Sequence, residues 1–258
     1  MLNGTAPDIG AFESASAVVT PVANFACSPL SGKKPLTVNC TDSSTNMPTA
    51  WAWTFGDTGT STLQNPQRIY QNAGTYTVAL TASNSAGNNT KTQAAYVKVS
   101  QTLFTTQVPA VPNDTDTGSP PYELGMRFRA TKAGKITAIR YYKAPSDTGT
   151  HTGRVWSDTG TLLASAVFTG ETASGWQEQA LASPLNILVN TTYVVSSNIT
   201  THFAATYSGL NTSIVNDSLF SVVPTVTIKN GVFGNPGVLP TNTYQNANYF
   251  RDIVFLPN

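Results

Sequence analysis

Four Asp-Thr-Gly triplets, starting at Asp57, Asp116, Asp147 and Asp158, are the first places in this sequence where chemistry could reside. Asp116-Thr117-Gly118-Ser119 spells the aspartic-protease loop, but that mechanism needs two carboxylates sharing one proton at the centre of a paired or double-lobed barrel. Here the triplet lies between Asn113-Asp114-Thr115 and Pro120-Pro121, with no apolar strands to clamp it. The other three triplets read as Asp-x-Gly hairpin turns. A cation suits the same stretch better. Asp114-Thr115-Asp116-Thr117-Gly118 alternates its carboxylates toward one hard ion and closes with the Gly of a tight turn. With Glu123 opening the next strand and Asp252 in the final one, the expectation is a structural calcium held by Asp114, Asp116, Glu123 and Asp252. A solvated acidic loop, with Glu123 paired to an arginine, is the competing expectation.

Other catalytic constellations are poorly provided for. The chain has two histidines, His151 and His202, with no His-x-His or His-x-x-x-His pair, whereas a catalytic zinc takes three protein ligands. No Gly-x-Ser-x-Gly elbow offers a nucleophile. Glu171 and Glu178 could form a glycosidase pair, yet nothing in their surroundings singles them out among 13 acids. The chain is therefore expected not to be an enzyme.

Sugar binding asks for less: an aromatic face to stack on the C–H surface of a pyranose, and a few planar polar groups. Tyr141, Tyr142, Trp156, Trp176, Tyr207, Tyr244 and Tyr249 can supply such faces. Tyr141 and Tyr142 are adjacent on a strand, so one of them must point away from the core. Trp156 and Trp176, set in apolar strands, suit the core. The loop residues Tyr207 and Tyr244, with His151 and Arg154, form the expected contact set, although His151 reads better as a loop hydrogen-bonder than as a ligand contact. Only 10% of the 258 residues are charged, against about 25% in an average globular protein. The net charge of +1 gives no field to hold a phosphate backbone or an anionic membrane, so neither nucleic acid nor membrane is an expected partner. It favours a neutral polysaccharide over a sulfated one. No run approaches the ~18 apolar residues of a membrane span.

The elements that must position these residues are strands. Val22–Cys27 and Pro35–Cys40 alternate apolar and polar residues, with Cys27 and Cys40 standing 13 apart. A disulfide between neighbouring strands would fit an oxidising compartment; two buried free thiols are the alternative. Trp51, Trp53 and Phe55 share one face of the next strand, and Gly74–Thr81 alternates over a long run. About seven strands around a central Trp outline an immunoglobulin-like sandwich.

WAWTFGDTGTST, then QNPQRIYQNAGTYTVALTASNSAG, resembles the polycystic kidney disease (PKD) repeat over residues 21–100. Trp53, Phe55, Gly56, Asp57, Asn65, Pro66, Tyr70, Gly74, Tyr76 and Asn84 fall on that pattern. Thr58 departs from it where the family has Gly, and Arg68 stands where His is common. The resemblance implies a structural domain that spaces its neighbours or assists binding to insoluble polymers.

Residues 101–258 carry further strand signals, at Leu124–Arg129, Lys135–Tyr142, Thr152–Trp156, Leu162–Phe168, Trp176–Ala180, Thr192–Ser196 and Tyr249–Phe255, with long loops expected near 197–247. This region is expected to be a larger, jelly-roll-like antiparallel sandwich, and the whole chain all-β. ELGMRF, ITAIRYYK, DTGTHTGRVWSDTGTLLASAVFTGETASGWQ, NTTYVVS and NYFRDIVF resemble an uncharacterised bacterial domain-of-unknown-function family. That family occurs in secreted and surface proteins beside PKD and polysaccharide-processing modules. Residues 4–13, GTAPDIGAFE, resemble the closing strand of secreted parallel β-helix proteins, so residues 1–20 are expected to be the tail of an upstream domain plus a linker. Together these readings imply a non-catalytic, calcium-stabilised accessory region of a secreted or cell-surface bacterial protein. It would bind carbohydrate and position an upstream catalytic or β-helix domain in polysaccharide degradation. A structural or adhesive surface module without glycan binding is the alternative.

Overall fold

The computed structural model describes residues 17–115 and 121–258. The expected upstream tail and Asp116 therefore lie largely or wholly outside the described residues. All described elements are strands and turns, and they build two sandwiches.

In the first unit, alternation decides which side chains turn inward. Phe25 and Cys27 on strand Phe25–Ser28 face Val38 and Cys40 on Leu36–Asp42, while the residues between them are exposed. Cys27 and Cys40 are direct antiparallel partners and are joined by a disulfide. These two strands and Gln67–Tyr70 form one sheet. The other sheet runs in the order Ser31–Lys33, Gly87–Ser100, Gly74–Asn84, Ala50–Thr54 and Thr60–Ser61. Between them Trp53 stacks parallel to Phe55 and takes the edge of Phe25 at 5.1 Å. The polar handles of this core are satisfied as well as buried: the Trp53 indole donates to the Leu63 carbonyl at 2.9 Å, and the Tyr70 hydroxyl to that of Phe55 at 3.1 Å.

The turn after Phe55 needs its glycine. Gly56 has φ +78°, and a Cβ there would sit 2.7 Å from the Thr77 carbonyl oxygen. Thr58, where the PKD pattern has Gly, also has a left-handed φ of 70°. Arg68 donates to Asp57 at 2.9 and 2.7 Å, tying the turn to the opposite sheet.

The second unit is a larger antiparallel sandwich. Its main sheet runs Leu162–Val167, Thr152–Ser157, Tyr193–Ile199, Tyr122–Ala130, Leu219–Ser221 and Val215–Asn216, with Val232–Gly234 and Asn242–Thr243 attached beside Tyr122–Ala130. The facing sheet is Gly175–Ile187, Gly134–Lys143 and Arg251–Pro257. Met126, Phe128, Ile136, Ile139, Val155, Val195, Ile253 and Phe255 close the core between them. The stretch expected as long loops near 197–247 holds five strands of two or three residues, too short to show a periodicity. The strand beginning at Gly175 runs on to Ile187, past its expected end at Ala180. The last strand starts at Arg251 rather than Tyr249, because Phe250 has φ 55° and interrupts extended backbone.

The segment between the sandwiches is bound to the second one. Gln101 and Phe255 exchange backbone hydrogen bonds at 2.8 Å each way. The Asp252 carboxylate accepts the amides of Leu103 and Phe104 at 2.9 and 3.1 Å. Lys33 reaches Glu178, and Lys34 lies 3.4 Å from Asp217.

Candidate functional site

At one end of the larger sandwich, loops and strand ends enclose a cleft of about 280 Å³ walled by aromatic rings. Tyr122 comes from the start of strand Tyr122–Ala130, and Phe233 from the short strand that pairs with it. Their rings meet edge to face, 6.0 Å apart at 76°. Phe203 and Tyr249 meet in the same way deeper down, at 5.7 Å and 75°, with Leu124 below them. At the mouth stand Tyr207, 37% exposed, and Tyr244, 54% exposed, with centroids 5.8 Å apart at 84°. The Tyr207 hydroxyl donates to the Asp114 carboxylate. Burial and that carboxylate push the Tyr207 hydroxyl above its ordinary range, so it remains a donor. Among the described residues lining the cleft there is no lysine or arginine. The result is an aromatic recess lined by four tyrosines, suited to a ligand that has both a C–H face and hydroxyl groups.

The structure divides the expected sugar-contact set. Tyr207 and Tyr244 come together at the mouth of this cleft. His151 does not join them: it is fully buried, with Nε2 3.0 Å from Asp147 and Nδ1 2.9 Å from Glu171. Glu171 also accepts from the Tyr141 hydroxyl at 2.9 Å and from Lys143 at 2.8 Å. This polar network ties the loop at Asp147 to both sheets and offers a ligand no entrance. Burial alone would raise the Asp147 carboxyl, but hydrogen bonds from His151, Thr201 and Thr200 hold it well below the usual carboxylate range. Arg154 is likewise occupied, donating to Glu123 at 2.8 Å. Tyr141 is buried, and Tyr142 is half-buried against Trp176 and Phe250. Trp156 is core, with its indole on Ser196.

The expected calcium ligands are also separated. Glu123 is fully buried in the main sheet, accepting from Ser196, from Arg154 and from the Gly237 amide. Asp252 is fully buried in the facing sheet, where Arg140 lies 3.0 Å away. Burial pushes the Asp252 carboxyl up to about 6, against the opposing pull of Arg140 and of the Leu103, Ile253 and Phe104 amides. Asp114 turns to Tyr207, and Asp116 lies outside the described residues. Among the described residues no group of three or more His, Cys, Asp or Glu side chains is placed to hold a metal ion. The physical reason is that Glu123 and Asp252, the two buried acids of the expected set, each already have an arginine for a counter-ion. Glu171 and Glu178 take separate partners, the first on His151 and Lys143, the second on Lys33 and Arg140.

Sequence reasoning missed Tyr122, Phe203 and Phe233. The available signal was an aromatic residue at the start of a strand and two more in the Gly- and Asn-rich stretch that follows. The pairing of Tyr122–Ala130 with Val232–Gly234 brings Tyr122 and Phe233 together, and Phe203 sits on a short strand that pairs with Val111–Asp114.

Comparison with known proteins places both units. A family model described as "PKD domain" matches residues 18–99, and one described as "Domain of unknown function (DUF4082)" matches residues 106–251. The PKD1 domain of Vibrio anguillarum Epp is 33% identical, over 31% of this chain and 96% of its own, with a TM-score of 0.28. The PKD1 domain from the Vibrio cholerae metalloprotease PrtV is 30% identical, over 31% of this chain and 99% of its own, with a TM-score of 0.27. A structure reported for carbohydrate-binding modules of the β-sandwich superfamily is 14% identical, over 80% of this chain and 97% of its own, with a TM-score of 0.34. No curated protein matches the chain.

Proposed function

Because the chain belongs to the DUF4082 family and carries a PKD domain ahead of that region, we propose that it is a non-catalytic accessory region that binds carbohydrate in the aromatic cleft. The observation that carries this reading is the cleft itself, in which Tyr207 and Tyr244 flank an aromatic recess and Asp114 orients one of their hydroxyls. A sugar ring would lay its C–H face on an aromatic wall and hydrogen-bond through its hydroxyls at the rim. Accessory rather than catalytic work suits the acids: Glu123, Asp147, Glu171 and Asp252 neutralise buried cations or cap loops, and none is poised across the cleft from another. The partner is a polysaccharide, and the region holds a neighbouring domain of a longer bacterial protein close to it. The Cys27–Cys40 disulfide supports a secreted or cell-surface location. Among the described residues no helix is long and apolar enough to cross a membrane.

Affinity electrophoresis against a panel of soluble polysaccharides tests the proposal. Retardation by at least one of them, relieved by its own oligosaccharides, is expected; migration unaffected by every glycan would refute it. A second reading, a stiff spacer between other modules, is favoured by the Gln101–Phe255 and Asp252 contacts that fasten the segment between the sandwiches.

A further inference from the structure

Resting on the carbohydrate reading, we propose that the cleft recognises the end of a neutral glycan chain, one terminal sugar ring, and not the flat face or the middle of a polymer. The geometry of the rings points this way. Adsorption to a flat polymer face needs aromatic rings that are coplanar and open to solvent. Here the ring pairs Tyr122–Phe233, Phe203–Tyr249 and Tyr207–Tyr244 stand at 76°, 75° and 84° within each pair. Neighbouring rings therefore make walls and a floor. Exposure falls steeply from the rim inward: Tyr244 is 54% exposed, while Phe203 and Tyr249 are buried. A ligand must enter the recess end-on to use the inner rings.

Size gives the same limit. At about 280 Å³ the cleft lies at the small end of the roughly 300–1,000 Å³ occupied by drug-sized ligands. That is room for one sugar ring and part of the next. An internal residue, with chain continuing on both sides, would need a groove open at two ends.

Charge selects among chain ends. Asp114 stands at the rim on the Tyr207 hydroxyl, and no lysine or arginine lines the recess among the described residues. A uronate carboxylate would enter beside a fixed negative charge with no cation to meet it, so a neutral terminal sugar is favoured. Asp114 also fixes the direction of the Tyr207 hydroxyl, leaving its oxygen lone pairs to accept from a sugar hydroxyl.

Counting ends against mass is the test. Neutral glucan, mannan, galactan and xylan, with polygalacturonate as the acidic counterpart, are each offered to the full chain intact and after partial acid hydrolysis to about one tenth of the mean length. Binding is read by isothermal titration at equal mass. For the neutral glycan that binds, apparent affinity per unit mass is expected to rise about tenfold on hydrolysis, in step with the number of ends. Tyr244→Ala is expected to remove that gain, and polygalacturonate fragments are expected not to bind. Affinity per mass that stays level or falls on hydrolysis would overturn end recognition while leaving carbohydrate binding intact. An undiminished gain in Tyr244→Ala would overturn the assignment to this cleft. Binding to none of the glycans in either form would overturn the carbohydrate reading together with this inference.

Discussion

Removing the Asp252 carboxylate should be the most damaging single change in the larger sandwich, and its cost follows from the bonds it makes. Asp252 is fully buried and accepts from Arg140 at 3.0 Å and from the amides of Leu103, Phe104 and Ile253 at 2.9, 3.1 and 2.7 Å. Asp252→Ala leaves a buried guanidinium without its counter-ion, which costs about 3–5 kcal/mol in comparable pairs. The Leu103 and Phe104 amides, which lie outside the strand ladders, lose their acceptor and add roughly 1–3 kcal/mol each. Part is recovered, because Arg140 keeps Glu178 at 3.4 Å and the face of Trp176 at 4.4 Å. The recovery is modest, since Glu178 is 38% exposed and such pairs are worth about 0–1 kcal/mol. A net loss of at least about 4 kcal/mol remains. For a unit of about 150 residues this corresponds to a fall in Tm of at least about 8 °C. Calorimetry at pH 8, well above the raised carboxyl, reads it directly. The double variant Asp252→Ala/Arg140→Met removes the stranded charge and is expected to regain at least about 2 kcal/mol. A loss below about 1 kcal/mol, or strict additivity of the two substitutions, would show that Arg140 does not depend on the Asp252 carboxylate.

Three further outcomes are expected. Thr58 holds a left-handed φ of 70°, which costs an L-residue about 1–2 kcal/mol. Thr58→Gly should therefore raise PKD-domain stability by about 0.5–1 kcal/mol in urea unfolding, after allowing for the greater freedom of glycine in the unfolded chain; a loss of stability would contradict this. The Asp147 carboxyl is shifted up by burial but carried lower overall by its hydrogen bonds, so its native value lies below its unfolded value of about 4. Its stabilisation is complete above that value and fades as pH falls through the native one. The stability gap between the parent chain and Asp147→Asn should accordingly be full at pH 5 and shrink below about pH 4; a gap that widens on acidification would count against the assignment. Finally, chelation should leave the Tm of the larger sandwich unchanged, because arginines already neutralise Glu123 and Asp252. A drop of several degrees, restored by calcium, would revive a metal site.

Much of the fold could be read from sequence because its signals are local. The run from Trp51 to Gly59 carries its turn chemistry in adjacent residues, and the inward face of Leu36–Asp42 is visible as plain alternation. Even Thr58, the departure from the PKD pattern, marks a position whose backbone prefers glycine. The site was half legible. Tyr207 and Tyr244 stand out as large aromatics in a polar stretch, but the wall beside them includes Tyr122, about 85 and 120 residues away in sequence, which strand pairing alone sets against Phe233. The acids misled for the same reason. An Asp-x-Asp-x-Gly spacing is a local pattern, whereas the arginines that claim Glu123 and Asp252 lie 31 and 112 residues distant. His151 looked like a loop residue because Asp147 and Glu171 enclose it only after the two sheets close.

If the aromatic cleft binds a saccharide, removing one exposed ring must weaken that binding. Tyr244 is 54% exposed, so Tyr244→Ala should leave the fold intact, which its calorimetric Tm will verify. Titration of the parent chain and this variant with the best-retarding oligosaccharide should show at least a tenfold loss of affinity, the equivalent of about 1.4 kcal/mol of lost stacking. Equal affinity in the two proteins would contradict the account.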